Sequence, residues 1–396
     1  ANYVWGKDRE PWENDFRDVN VAELLKRGAL PEKIEYSWQV RRSAYDEILL
    51  KRAEALGVEV VRGAVADGIL EEGERIAGVR WRGSDGAPRE TRAALVADCS
   101  GQNGFLSRFR RIREYNENLK NVAGYAYYEG ASWKYEFSGH PDKTKILICS
   151  VAAGWFWYIP IDKGIVSVGL VTSVERLKEL GGDLEAIYAR ELEACAEIFP
   201  LLVNAKRVKD FDGSGESFFT QSDWSYMNVA ASGPGWLAAG DAAVFVDPIL
   251  SSGVTLAHLA AHRAAYTALT AWDPASPPER VDALWKDYDR YCRESAAQFL
   301  ALALFWYGNE RRTESWWGRA REVLRAWLPV DIGDHGAFIA VSAGLTRHYE
   351  RLLATADLVD DQPMRDADFP FLVSVLGAPR EPGAPAPDDR PRLLFP

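Results

Sequence analysis

Basic residues are in deficit in this chain of 396 residues: 47 lysines and arginines face 58 aspartates and glutamates, leaving a formal charge of -11. No long basic run offsets the deficit. Phosphate backbones are recognised by clustered lysine and arginine, so nucleic-acid binding is not expected. Long apolar runs are missing too, and Ala1 to Gly6 does not begin a basic stretch leading into an apolar one. Neither a membrane span nor secretion is therefore expected. Cysteine is sparse: Cys99, Cys149, Cys195 and Cys292 stand far apart with no CxxC spacing. That supports neither a zinc site nor a disulfide framework and fits a reducing cytoplasm. Of five histidines only His258 and His262 are close, at i,i+4. With no glutamate between them and no third ligand, they give little reason to expect a metal.

What is present is an ordinary globular composition, 47% hydrophobic and 27% charged, in a chain long enough for one large or two closely packed domains. Residues 1–36 show no sustained period and read as loop-rich. Tyr36 to Val40 alternates like a strand. Arg42 to Leu56 repeats apolar residues at helical spacing up to a capping Gly57, and Val58 to Val61 reads as another short strand. Strand, helix, strand in that order suggests a piece of a doubly wound sheet. Ile76 to Trp81 and Thr91 to Ala97 read as a strand pair about the turn Ser84-Asp85-Gly86, and Leu95 to Gly101 as a buried strand ending in Asp98 and small residues. Alternating runs between 121 and 173 predict an antiparallel sheet. Residues 183–199 predict a helix ended by Pro200, and 253–269 and 279–327 predict a helical C-terminal third. Residues 377–396 hold six prolines and are expected to form an extended arm.

Two segments carry candidate chemistry. Trp236 to Ala239 reads as a short buried strand, after which Gly240 permits close backbone approach to a ligand and Asp241 offers a carboxylate to sugar hydroxyls. Beyond Asp247-Pro248, the small residues Ser251, Ser252 and Gly253 open a helix whose unpaired N–H groups and dipole favour an anion. A Gly-Asp turn and an Asp-Pro cap would give the same pattern. The second segment is Gly154 to Pro160. Side chains alternate along a strand, so Trp155 and Trp157 share one face while Phe156 and Tyr158 share the other. Both faces then require burial, and a core strand buried on both sides satisfies that geometry as well as a functional wall does.

Trp155-Phe156-Trp157-Tyr158-Ile159-Pro160 resembles the WxWxIP signature of flavin-dependent halogenases. Gly240-Asp241-Ala242-Ala243 with Asp247-Pro248 and Ser251-Ser252-Gly253 resembles the flavin-contacting segment of the same FAD-dependent aromatic hydroxylase-like superfamily. The resemblance, to the phenol or pyrrole type of halogenase, reaches about residue 325. It implies an α/β fold: a Rossmann-type FAD-binding domain of the hydroxylase-like kind, an antiparallel substrate-side sheet and an α-helical C-terminal region. On that template residues 1–120 belong to the FAD-binding domain, 121–230 to the substrate-side sheet, 231–275 to the FAD and halide segment, 276–376 to the helical region and 377–396 to the proline-rich tail.

The resemblance also implies roles. Trp155, Trp157, Ile159 and Pro160 would wall the flavin compartment from the substrate. Gln39 and Arg42, in a segment similar to the family's R...FD helix start but with Tyr45 for the usual Phe, would lie near the flavin and its phosphates. Gly240, Asp241, Pro248, Ser251, Ser252 and Gly253 would contact FAD, with the backbone of Ser252 and Gly253 holding chloride. A separate flavin reductase would supply reduced FAD. A flavin hydroperoxide would then convert halide to hypohalous acid, which passes the tryptophans to a lysine facing an electron-rich aromatic, either free or tethered to a carrier protein. The superfamily's GxGxxG turn is missing near the start. Asn2 to Lys7 with Pro11-Trp12 resembles the segment that follows that turn and the catalytic lysine, so the lysine is expected upstream of Ala1 and Lys7 is not assigned its role. An aromatic monooxygenase of the same fold and a noncatalytic flavin-fold protein are the alternatives. Trp306, Tyr307, Trp316 and Trp317 are candidates for a substrate pocket or for core, and Arg108, Arg110 and Arg111 for a local basic patch facing a carrier.

Overall fold

The computed structural model describes residues 1–6, 9–13, 38–133, 144–162, 164–211, 213–307, 318, 320–321 and 333–342. Lys7, Trp316, Trp317 and the stretch 377–396 lie outside the described residues. The strands are β1 (Asn2–Val4), β2 (Pro11–Glu13), β3 (Val65–Glu72), β4 (Arg75–Arg82), β5 (Pro88–Arg92), β6 (Val96–Asp98), β7 (Arg113–Glu129), β8 (Leu147–Val151), β9 (Gly154–Asp162), β10 (Ile165–Ser173), β11 (Lys206–Arg207), β12 (Phe219–Asn228), β13 (Ser232–Gly233), β14 (Trp236–Ala238) and β15 (Val244–Phe245). The helices are α1 (Arg42–Ala55), α2 (Phe105–Arg110), α3 (Val174–Glu179), α4 (Leu184–Ala194), α5 (Gly253–Ala271), α6 (Pro278–Trp306) and α7 (Gly333–Ser342). Among the described residues, no helix is long and apolar enough to cross a membrane.

A nine-stranded sheet in the order β15-β12-β7-β10-β9-β8-β1-β2, with β11 added on β7, forms the largest layer. All its pairings are antiparallel except β1 with β8. The tryptophan strand β9 is interior, between β8 and β10. Its period of two sends Phe156 and Tyr158 into one core with Ile187 and Tyr188 of α4. Trp155 enters the other core, with Trp5, Trp306 and the residues around Gly240. The expected burial on both faces is therefore present, each face against a different core.

A second, three-stranded sheet holds the parallel pair β6 and β14, with Trp236 beside Val96 and Ala238 beside Asp98. Parallel strands that end side by side bring their following turns together, which is how residues 98–104 come to lie beside 239–242. β14 is buried, but β6, expected to be buried, exposes Ala97 and buries only Asp98 because it has a strand on one side only. A third sheet, β3-β4-β5, contains the anticipated turn, where Asp85 accepts from the Ala87 amide at 3.0 Å.

The structure corrects several sequence expectations. Trp38 to Val40 is irregular, and so is Val58 to Val61. A parallel strand exists only through its neighbours, and none of the described strands pairs with either segment; Val58 and Val61 are exposed. β3 escaped detection because Val65-Ala-Asp-Gly-Ile-Leu-Glu-Glu is mostly exposed and lacks alternation, its pairing coming from β4. The helix expected over 183–199 stops at Ala194, and Pro200 sits in a separate 3-10 turn.

Candidate functional site

At the end of β6 the buried Asp98 carboxylate accepts from the Ser100 amide at 3.0 Å, the Ser100 hydroxyl at 2.6 Å and the Leu106 amide at 2.7 Å. This one side chain sets the course of the turn into α2. At the end of β14 the Ala239 amide donates to the Asp98 carbonyl at 3.0 Å, and Tyr288 of α6 donates to the Ala238 carbonyl at 2.8 Å. Gly240 then turns the chain at φ +58°, and a Cβ there would lie 3.1 Å from Cβ of Ala257 in α5. Glycine is thus required both by the left-handed backbone and by the close approach of the helix.

Asp241 follows, largely buried. Burial pushes its carboxyl pKa up, against the opposing pull of the Arg42 and Arg113 charges. One of its oxygens lies 3.9 Å from where a Cβ on Gly253 would sit, so carboxylate and start of α5 share one locus. Ser252 is the buried N-cap of α5 and makes no side-chain cap bond. Ser251 before it holds φ +51°, uncommon for a residue with a side chain. Asp247, wholly buried, fixes this turn by accepting from the Ile249 amide at 2.9 Å, with Pro248 between them.

On β9 the two tryptophans are held differently. Trp155 donates its indole N–H to the Tyr307 hydroxyl at 3.0 Å, and Trp157 donates to the Ser167 hydroxyl at 3.1 Å. Trp157 lies across Gly169 of β10, its register partner, where a Cβ would come within 2.2 Å of the ring. The absence of a side chain at Gly169 lets the indole reach Tyr125 on β7. An aromatic row, Trp5, Trp155, Trp157, Tyr125 and Phe219, therefore crosses the sheet face. Pro160 is buried and Ile159 half-buried further along the strand.

Tyr307 also donates to the Asp247 carboxylate, at 3.0 and 3.1 Å to its two oxygens, and Asn121 Nδ2 donates to the same group at 3.1 Å. Burial raises the Asp247 pKa to about 7, with the Ile249, Tyr307 and Asn121 donors pulling the other way. The WxWxIP strand and the Asp247-Pro248 turn thus meet in one hydrogen-bonded unit. Sequence reasoning had not singled out Asn121, although a buried amide in an otherwise alternating strand is a usable signal, and it had named Tyr307 only as pocket or core.

Arg42 opens α1 and forms a two-pronged exposed pair with Asp46, at 3.1 and 3.0 Å. That hydrogen bond raises the guanidinium pKa, and the Asp241 charge adds to the effect. Tyr45 ties α1 to α5 through His258 at 2.7 Å, and His262 packs on Tyr266, so the histidine pair serves two separate contacts. Gln39 keeps a buried Oε1 with no partner. Arg113, missed from sequence, lies 3.8 Å over the Tyr226 ring, donates to the Gln102 carbonyl at 2.6 Å, and leaves Nε and Nη2 buried without partners. Among the described residues the metal-capable cluster is elsewhere, at Cys149, Cys195 and Glu197 in the opposite core.

These groups fit FAD. Unpartnered polar atoms on Gln39 and Arg113, two cations flanking Asp241, a glycine turn and an uncapped helix start suit a ligand with hydroxyls and anionic groups. A model of the tryptophan halogenase family matches residues 15–326. The chain belongs to that family. Its relatives among the flavin-dependent halogenases include a tryptophan 2-halogenase of Chondromyces crocatus, 29% identical over 333 residues that cover 83% of this chain and 58% of the relative. A 1H-pyrrole-2-carbonyl-[peptidyl-carrier protein] brominase of Pseudoalteromonas luteoviolacea is 31% identical over 271 residues, covering 63% and 64%. The chain spans roughly half to two thirds of the length of these curated family members. The solved myxobacterial chondrochloren halogenase, a FAD-dependent halogenase, superposes with a TM-score of 0.67 at 26% identity, over 87% of this chain and 80% of that one. A flavoprotein/dehydrogenase of Cytophaga hutchinsonii shares the fold at 19% identity and a TM-score of 0.66, over 91% and 82%. The expected hydroxylase-like α/β fold is thus that of this halogenase family.

Proposed function

We propose that the protein carrying this chain is a FAD-dependent halogenase that chlorinates an electron-rich aromatic, a phenol or pyrrole. The observation that carries the reading is the joining of the WxWxIP strand to the Asp247-Pro248 turn through Tyr307. A single-component hydroxylase, which lets substrate meet its flavin, has no need of such a partition. Bound reduced FAD supplies the electrons with which oxygen turns halide into an electrophilic halogen species. In this reading Gly240, Asp241, Pro248 and Ser251 hold the flavin, and Gln39 and Arg42 serve its phosphates. The backbone N–H groups at Ser252 and Gly253 hold chloride at the helix start. Trp155, Trp157 and Ile159, on one face of β9, exclude the aromatic substrate from the flavin side, while Pro160, on the face of Phe156 and Tyr158, backs the strand from the other core.

As a working division we assign residues 1–120 to FAD binding, 121–230 to the substrate side, 231–275 to flavin and halide and 276–376 to a C-terminal region, with 377–396 outside the described residues, although β1, β2 and β7 join the large sheet across the first boundary. A flavin reductase is the partner that regenerates reduced FAD, and the cytoplasm is the compartment that supplies it. The carrier-protein brominase among the relatives supports a tethered acceptor, and a free one is kept as the other option. The test is to supply the complete protein with a flavin reductase, NADH, FAD, oxygen and chloride, together with free and carrier-bound phenols and pyrroles. A product bearing chlorine's isotope pattern is expected. Hydroxylated product without chlorine, across the panel, overturns the reading.

A further inference from the structure

Asn121, Trp155, Asp247 and Tyr307 come from β7, β9, the turn before α5 and the residue just past α6, and they form a polar unit within an apolar core. Hydrogen-bond chemistry fixes the directions. An indole N–H can only donate, so the Tyr307 oxygen accepts from Trp155 at 3.0 Å. The single phenolic hydrogen is then directed at the Asp247 carboxylate, 3.0 and 3.1 Å away. Asn121 Nδ2 reaches both the carboxylate, at 3.1 Å, and the phenol oxygen, at 3.2 Å. The other ring contacts of Trp155 described above, to Trp5 and Trp157 at 6.1 Å between centroids, are apolar and impose little direction.

We propose that Tyr307 is a positioning residue of the halogenation site, clamping the Trp155 indole to the Asp247-Pro248 turn so that partition and flavin-side turn keep one geometry. The proposal rests on the halogenase reading above. Asp247 holds both ends of the clamp, because the oxygen that accepts from Tyr307 also accepts from the Ile249 amide, inside the turn that leads to Ser252. Tyr307 is itself fixed at the end of α6, its amide donating to the Ala303 carbonyl at 3.1 Å. The C-terminal helix, the indole wall and the turn before α5 are thereby linked by directional bonds in addition to packing.

Tyr307→Phe keeps the ring and removes the hydroxyl, and two readouts on the complete protein test the clamp. The first needs no turnover: in protein labelled with 15N-tryptophan, the Trp155 indole signal is assigned by its loss in Trp155→Phe. Tyr307→Phe is expected to speed its exchange with solvent about tenfold, the factor for one lost hydrogen bond. Asp247→Asn, whose amide oxygen still accepts from Tyr307, is expected to leave exchange near that of the unaltered protein, and it supplies the comparison should Tyr307→Phe fail to fold. There, Asp247→Ala is expected to reproduce the faster exchange. In the second readout, halogenated product per reduced flavin oxidised falls about tenfold in Tyr307→Phe, while FAD affinity and the rate of flavin oxidation stay within about twofold. The lost equivalents appear as hydrogen peroxide, oxygen having taken both electrons and two protons. Unchanged Trp155 exchange in Tyr307→Phe, or a yield loss matched by equal loss of FAD affinity, overturns the clamp. Absence of halogenated product from the unaltered protein overturns the functional reading and Tyr307's part in it; unchanged exchange in an active protein overturns the clamp alone.

Discussion

Asp247→Asn should change how stability depends on pH, in a predictable direction. In the folded chain the Asp247 carboxyl ionises near 7, raised by burial from the ordinary value of 3.8. Between those two pH values the folded state retains the proton and the unfolded state has released it, so raising the pH favours unfolding. Stability from this group is fully present below about pH 4 and is lost as pH rises through about 7. The slope reaches about 1.4 kcal/mol per pH unit, and the whole change is about 4 kcal/mol. An amide cannot titrate, so Asp247→Asn removes this decline whatever its constant cost from a rearranged bond to Asn121. The assay is urea unfolding of both proteins at several pH values between about 4 and 7, read as the difference in unfolding free energy. That difference should shift in favour of the variant by about 4 kcal/mol toward neutral pH. A constant difference would show that Asp247 is not held protonated. A shift toward the unaltered protein would show that its three donors outweigh burial and keep it ionised.

Arg42→Ala removes an exposed cation whose pair with Asp46 is solvated, so stability should change by less than about 0.5 kcal/mol. FAD affinity, measured by titration, should fall about tenfold; an unchanged affinity would place Arg42 outside the site. Gly240→Ala forces a side chain into a left-handed backbone against Ala257 and should cost about 1–2 kcal/mol in urea unfolding. A neutral result would mean the turn relaxes freely. Trp155→Ala empties a buried indole site and should cost about 3–5 kcal/mol, whereas Trp157→Ala, only half-buried, should cost less. Equal losses in a thermal or urea assay would contradict the deeper burial of Trp155 on the face the two tryptophans share.

The most legible parts of the fold were those governed by local periodicity. The β9 alternation of Trp155 and Trp157 against Phe156 and Tyr158 survives in the structure because a strand between two cores obeys a strict period of two. The start of α5 at Gly253 and the buried strand ending at Ala238 were legible for similar reasons. Val58 to Val61 was misread because strand propensity says nothing about whether a neighbour exists to pair with. The site was legible where motifs run contiguously, at 154–160 and 240–253. Arg113 and Asn121 were not singled out, and Tyr307 was named only as pocket or core, since their roles arise from partners 11 to 186 residues away in sequence. Only the folding of the sheet against α6 brings such groups together.

The central claim is that the tryptophan strand separates oxygen chemistry from the organic substrate, so that halogen and not oxygen reaches the product. The most direct measurement is the mass of the product formed from an accepted phenol or pyrrole under 18O-labelled oxygen, with chloride present and reduced FAD continuously supplied. The account predicts a product that carries chlorine's isotope pattern and no 18O. A product that carries 18O on the ring and no chlorine would contradict it.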